Sequence, residues 1–262
     1  MDIATFAVVY VTCILFFNLL YLSLLAFGYY LYCREVFALL PQPYAPLWHQ
    51  YTGAAALGAC LLLFGVVSVS DPGCIAADSL AAHTALYPAA PGSQARSCWT
   101  CGWYRPARSK HCPLTQRCVA RFDHYCGWVS NAIGLRNMRW FLAFLLANML
   151  LCTYGVVFAV LVLRGVALRR GIAEAVYRDE TTGRLHGLTS SPRRVIEWLV
   201  LRYPQAVMLT LFMAIAGGLV AAFLSYHLAL TSVGLTSYEV MKQQQALAVL
   251  TAEAKVEAMW QA

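Results

Sequence analysis

The chain has 262 residues, 60% of them hydrophobic and only 12% charged, with a net charge of +7. A soluble domain carries roughly a quarter charged residues. With a mean hydropathy of +0.60, this is a membrane composition, and it excludes a disordered chain, a small disulfide scaffold and most soluble enzymes. The positive charge suits contact with anionic lipid or a phosphate-bearing ligand, and without a basic soluble domain nucleic acid is not an expected partner.

Four uncharged runs organise the chain. No Asp, Glu, Lys or Arg stands between Ile3 and Cys33. That run is too long for a signal peptide and has no basic lead, so residues 5–31 are read as a first spanning helix. Val36 to Ser70 is also uncharged. Its prolines at 41, 43 and 46 make a turn, and a second span over 47–69 ends ahead of Asp71. Trp140 to Leu163 gives a third span, and 203–235 contains a fourth in which His227 stands out as the titratable residue. Each run exceeds the ~20 residues that cross ~30 Å of hydrocarbon.

Four spans place both termini and the 71–139 loop on one side, and 33–46 and 164–202 on the other. The two longer loops hold eight Lys and Arg each, so the positive-inside rule does not orient them. Cysteine does. Five of the ten cysteines fall between Cys98 and Cys126, and such a crowd persists as thiols or metal thiolates in a reducing compartment. This sets the 71–139 loop and both termini in the cytosol. The expected plan is helices 1 and 2 in 1–70, a cysteine-rich domain in 71–139, helix 3 at 140–163, a lumenal loop at 164–202, helix 4 in 203–235 and a cytosolic tail from 236 to 262.

Smaller features have plain expectations. Asn18 and Asn148, at membrane depth, are read as inter-helix hydrogen-bonding groups, and Gly217-Gly218 as a close helix contact. Ala76 to Ala95 is a small-residue linker. His227 is expected at a helix end or interface, not as a ligand. Val240, Leu247, Leu250 and Ala254 recur at helical spacing, which predicts an amphipathic tail helix lying on the membrane or on the cysteine-rich domain.

The chemistry lies between residues 98 and 137. Cys98-x2-Cys101 is a zinc-knuckle spacing in which two thiolates on one turn share a tetrahedral ion. Two more ligands are needed, and His111, Cys112 and Cys118 are available. Asp123-His124-x-Cys126 is a separate constellation. A histidine beside a cysteine can hold its proton and favour the thiolate, and a carboxylate can fix the imidazole. Residues i and i+2 face one another only in extended or turned backbone, so His124 and Cys126 meet only if this stretch is not helical. Spacing alone leaves open that His124 and Cys126 are two further zinc ligands.

The stretch Cys98-Trp-Thr-Cys101, Arg105-Pro106-Ala-Arg108-Ser-Lys-His111-Cys112, Cys118-Val119, Asp123-His124-Tyr125-Cys126-Gly-Trp128, Asn131-Ala-Ile-Gly134 and Asn137-x3-Phe141 resembles the cysteine-rich domain of the DHHC protein S-acyltransferases. Asp71-Pro72-Gly73 resembles the family's motif after the second span, and Thr236-Ser237-Tyr238-Glu239 its Thr-Thr-x-Glu motif after the fourth. The resemblance implies a membrane all-α fold of four transmembrane helices with a cytosolic, zinc-bound cysteine-rich domain between helices 2 and 3. It implies transfer of a long fatty acyl group, palmitoyl above all, from acyl-CoA to cysteines of membrane-associated proteins, in an endomembrane such as the Golgi or ER. Carried over, Cys126 is the nucleophile, His124 the base, Asp123 its orienter and Trp128 an acyl-chain contact, while Cys98, Cys101, His111 and Cys118 hold zinc. Basic residues of the loop suit either CoA phosphates or the lipid surface. The alternative from another class is a catalytically silent zinc-binding membrane adaptor.

The departures fall on one site. Where the family has a second His this chain has Tyr125, and where it has cysteines this chain has Thr115 and Ala132. Those positions, with Cys112, ligate a second zinc in the family. One structural zinc per chain is therefore expected, with a Thr115 hydrogen bond and packing of Tyr125 against Ala132 as candidate replacements for the second.

Overall fold

In a computed structural model the protein is described over residues 3–87, 97–172, 174–178 and 183–261, with side chains described between 16 and 254 of these. Helix α1 covers Ile3–Glu35 and α2 covers His49–Val69. Strand β1 (Cys74–Ile75) and helix α3 (Leu80–Leu86) follow, then β2 (Lys110–Cys112), β3 (Arg117–Val119), β4 (His124–Cys126) and β5 (Asn131–Ile133). Helix α4 is Met138–Arg169. The next loop holds β6 (Val176–Arg178), β7 (Leu185–Gly187) and α5 (Pro192–Arg202). Helices α6 (Pro204–Ser232) and α7 (Ser237–Gln261) complete the chain.

Among the described residues, four helices are long and apolar enough to cross a membrane, from Phe16 in α1 and through α2, α4 and α6. The protein is a multi-pass membrane protein with its cysteine-rich segment between the second and third of these helices. Many large apolar side chains along them, such as Phe27, Leu62, Leu150 and Leu219, point outward, as a lipid solvent requires of a spanning helix.

The chain forms two compact units. In the unit made of 19–62 and 145–222, an aromatic and aliphatic core gathers Tyr32, Val36, Phe37, Phe158, Val162 and Leu209. Polar groups at depth are paired: Tyr32 donates to the Gly155 carbonyl at 2.8 Å, and Tyr21 to Asn148 Oδ1 at 3.1 Å. A side chain at Gly217 would meet Cys152 Cβ at 2.8 Å, whereas Gly218 faces open space. The close contact therefore belongs to one glycine of the pair.

The unit made of 1–18, 63–144 and 223–262 contains the cysteine-rich segment. Its two sheets are small: β1-β3-β2, and the β4-β5 hairpin. Polar side chains tie their turns and ends together. Asp71 Oδ1 accepts the amides of Gly73 (3.0 Å) and Cys74 (2.8 Å), forming a turn that Gly73, at φ +99°, completes. Asn131 donates to the Val67 and Ser70 carbonyls at 2.9 and 2.8 Å, closing the end of α2. Asn137, fully buried, accepts from the Gly134 amide and donates to the Ala132 carbonyl. Gly134 packs so tightly that a side chain there would meet the Pro72 carbonyl and Val119 at 2.6 Å.

Three expectations gain detail. The linker contains α3, whose His83 is buried and whose Leu80 packs on Ile75 and Cys118; residues 88–95 of the linker lie outside those described. Asn18 bonds Ser130, in the β4-β5 turn. The tail is a helix, but Leu247 and Leu250 are both exposed, so neither rests on the cysteine-rich segment.

Candidate active site and metal centre

The metal centre is assembled from one turn and one hairpin. Gly102, in the left-handed region at φ +81°, lets the Cys98–Cys101 turn close, with Gly102 N–H donating to the Cys98 carbonyl at 2.8 Å. Opposite it, His111 on β2 and Cys118 on β3 are cross-strand partners. The sulfurs of Cys98, Cys101 and Cys118 lie 3.5, 3.5 and 3.8 Å from His111 Nδ1. A tetrahedral zinc at ~2.3 Å from sulfur and ~2.0 Å from nitrogen separates S and N by about 3.6 Å, so the four donors fit the ion. The donor chemistry agrees. Burial and the neighbouring sulfurs of Cys98 and Cys101 push the Cys118 thiol far up, a competition that a divalent cation removes by neutralising the thiolates.

Cys112 is not among these donors. It is 1% exposed in an apolar cluster with Val119, Phe122 and Ala132, against which Cys74, Leu114, Tyr125 and Tyr238 pack. Tyr125 and Ala132 are direct cross-strand partners in the β4-β5 hairpin, so packing occupies the positions where the family pattern has ligands. The Thr115 hydrogen bond is not made: its buried hydroxyl has no protein partner, although it lines a cavity with Ser68, Ser70, Asp71, Arg117 and Asn131.

The second constellation lies on β4. His124 and Cys126 are the ends of a three-residue strand, so their side chains leave the same face. His124 Nδ1 donates to Asp123 Oδ2 at 2.7 Å, and Asp123 Oδ1 accepts the Ser237 amide at 2.8 Å. Burial opposes ionisation of Asp123, but the bonds from His124 and Ser237 hold its carboxyl below the usual carboxylate range. Burial likewise opposes the imidazolium, yet hydrogen bonds and charge from Asp123 and Cys126 hold His124 up, at about 9. The arrangement sets an imidazole, backed by a carboxylate, beside the Cys126 side chain. Donor atoms of Asp123, His124 and His227 also lie within 4.8 Å of one another; of these contacts, the His124–Asp123 one is a formed hydrogen bond.

Ser237 reaches Asp123 because the start of α7 is pinned. Thr236 and Glu239 cap it reciprocally, Glu239 N–H to Thr236 Oγ1 (3.2 Å) and Thr236 N–H to Glu239 Oε2 (2.9 Å). Arg108 then clamps the Glu239 carboxylate with two bonds, at 2.5 and 2.7 Å, and the Gly234 carbonyl with a third. Trp128 is partly exposed, with its ring 5.2 Å from that of Phe17 on α1. His227 is where sequence reasoning fell short. It is in the last turns of α6, but it is 2% exposed and its Nδ1 is 3.8 Å from Asp123 Oδ2. Its only sequence signal was an imidazole in an otherwise uncharged span.

The fold and the site define a membrane protein with a candidate soft-metal centre beside a histidine-supported thiol. Residues 92–244, more than half of the chain, match the family model for DHHC palmitoyltransferases. The chain belongs to that family. It is similar to the palmitoyltransferase ZDHHC4 of Bos taurus, 31% identical over 233 residues, covering 88% of this chain and 67% of that one. Its counterpart in Mus musculus is 32% identical over 211 residues, 79% of this chain and 58% of the relative. The palmitoyltransferase SWF1 of Yarrowia lipolytica is 53% identical over 62 residues, 24% of this chain and 16% of that one. The chain thus spans between about half and two thirds of the ZDHHC4 relatives' length.

Proposed function

We propose that this protein is a protein S-palmitoyltransferase that carries the acyl group on Cys126. The observation that supports it most is the strand-borne Asp123-His124-Cys126 arrangement with its 2.7 Å carboxylate–imidazole bond. In the first half-reaction the Cys126 thiolate attacks the thioester carbonyl of acyl-CoA. A tetrahedral adduct forms and collapses, the acyl–Cys126 thioester remains, and the His124 imidazolium protonates the departing CoA thiolate. In the second, His124 takes the proton of an acceptor cysteine, that sulfur attacks the acyl–Cys126 carbonyl, and the Cys126 thiolate is restored. Asp123 holds the imidazole in the tautomer both steps need.

Trp128, two residues past the nucleophile, and Phe17, whose ring lies 5.2 Å from that of Trp128, contact the acyl chain nearest the thioester. Each buried methylene of that chain contributes ~0.8 kcal/mol before costs. Zinc bound by Cys98, Cys101, His111 and Cys118 supplies structural cross-linking of the knuckle to the hairpin, one ion per chain. The substrates are acyl-CoA and cysteines of membrane-associated proteins. The cysteine-rich segment and both termini are cytosolic, in an endomembrane such as the Golgi or ER. The test is incubation of purified protein with labelled palmitoyl-CoA and a membrane-anchored cysteine peptide. The reading expects hydroxylamine-labile label first on the protein and then on the peptide. An enzyme preparation that takes no label would leave only a zinc-binding adaptor.

A further inference from the structure

We propose that His227 is a positioning residue, bracing the Asp123 carboxylate from α6 and through it aligning His124 for Cys126. This rests on the acyl-carrier reading of Cys126 and adds a residue to its machinery.

Asp123 is approached from three elements. Its neighbour His124 bonds Oδ2, the Ser237 amide at the start of α7 bonds Oδ1, and His227 Nδ1 stands 3.8 Å from Oδ2. The first two bonds leave the carboxylate unsupported on the α6 side, where the spanning helix brings in an imidazole. The ring is held on edge by Phe141, Phe223 and Tyr226, with centroids at 5.3, 4.6 and 5.3 Å, and lies 5.5 Å from the ring of His124. The 3.8 Å separation is longer than a hydrogen bond, and in this proposal it closes as catalytic hydrogen bonds tighten when substrate arrives.

The second nitrogen sharpens the inference. His227 Nε2 is buried without a partner. An unpaired buried nitrogen costs stability, and a leucine or phenylalanine would fill this aromatic pocket without that cost. Packing alone therefore gives no reason for an imidazole here, whereas the nitrogen that faces Asp123 does. Supporting groups of this kind, one step removed from the reacting atoms, typically change rates ~10–100-fold when removed.

The test uses the full chain and a readout independent of acyl donor: the rate at which Cys126 is alkylated by iodoacetamide, followed by peptide mass spectrometry. His227→Leu should slow alkylation at least about 10-fold with zinc content unchanged. His227→Asn, which places an amide N–H near the Nδ1 position, should recover most of the rate. In an Asp123→Asn background His227→Leu should add nothing, because the residue acts through that carboxylate. Wild-type rates in His227→Leu, or a further loss in the Asp123→Asn background, would overturn the proposal. If His227→Leu does not fold, His227→Asn against His227→Gln decides, since the Gln amide reaches toward the Nε2 position instead: Asn fast and Gln slow supports it, equal rates overturn it. Wild-type protein that alkylates but takes no palmitoyl label would sink the acyltransferase reading and leave this result standing.

Discussion

His124 should stay protonated well into the alkaline range. A free imidazole titrates near 6.5. Here burial opposes the charge, but hydrogen bonds and charge from Asp123 and Cys126 hold it up, at about 9. At ~1.4 kcal/mol per unit the rise corresponds to about 3 kcal/mol. The side chain is only a quarter exposed, so solvent screens little of that. A basic group whose pKa is raised on folding stabilises the folded state fully below pH 6.5, and the contribution fades between 6.5 and about 9. Asp123→Asn keeps the shape and removes the charge that supports the imidazolium. In detergent, the gap in apparent melting temperature between wild type and Asp123→Asn should be widest below pH 6.5 and narrow towards pH 9. A gap that stays constant or widens over this window would refute the ion-pair account of the site.

Other outcomes follow from the same geometry. Cys101→Ser should lose the zinc and unfold the knuckle, while Cys112→Ser, in the apolar cluster, should keep one ion per chain by elemental analysis; two ions in the wild type would contradict the single-site reading. Asn137→Ala strands the Gly134 amide and the Ala132 carbonyl, which should lower stability by about 2 to 4 kcal/mol in denaturant titration. Glu239→Gln weakens the Arg108 clamp, so hydrogen exchange at the start of α7 should rise and Cys126 alkylation should slow as the Ser237 amide drifts from Asp123.

The spans were legible because charge is absent from a bilayer core, and uncharged runs are visible in one dimension. Their ends were less so: α4 continues past Leu163 to Arg169, since a helix does not stop where hydrocarbon does and Arg164 can reach the headgroups from a helical backbone. The metal donors were readable because soft ligands at short spacing have few other uses. The turn residues Asp71 and Gly73 carried a motif whose purpose, satisfying two amides beside β1, appeared only with the fold. Thr115 misled, since a hydroxyl in place of a ligand suggested a bond that the fold does not make. His227 stayed hidden for a different reason. Its partner Asp123 is about a hundred residues away, and no local pattern records that α6 returns to β4.

The central claim is that Cys126 carries the acyl group, and locating that group tests it most directly. Purified protein incubated with palmitoyl-CoA and digested without reducing agent should yield a palmitoyl thioester on the peptide containing Cys126, removable by hydroxylamine and absent from Cys126→Ala, which should keep its zinc. A thioester on another cysteine, or full labelling of Cys126→Ala, would contradict the account.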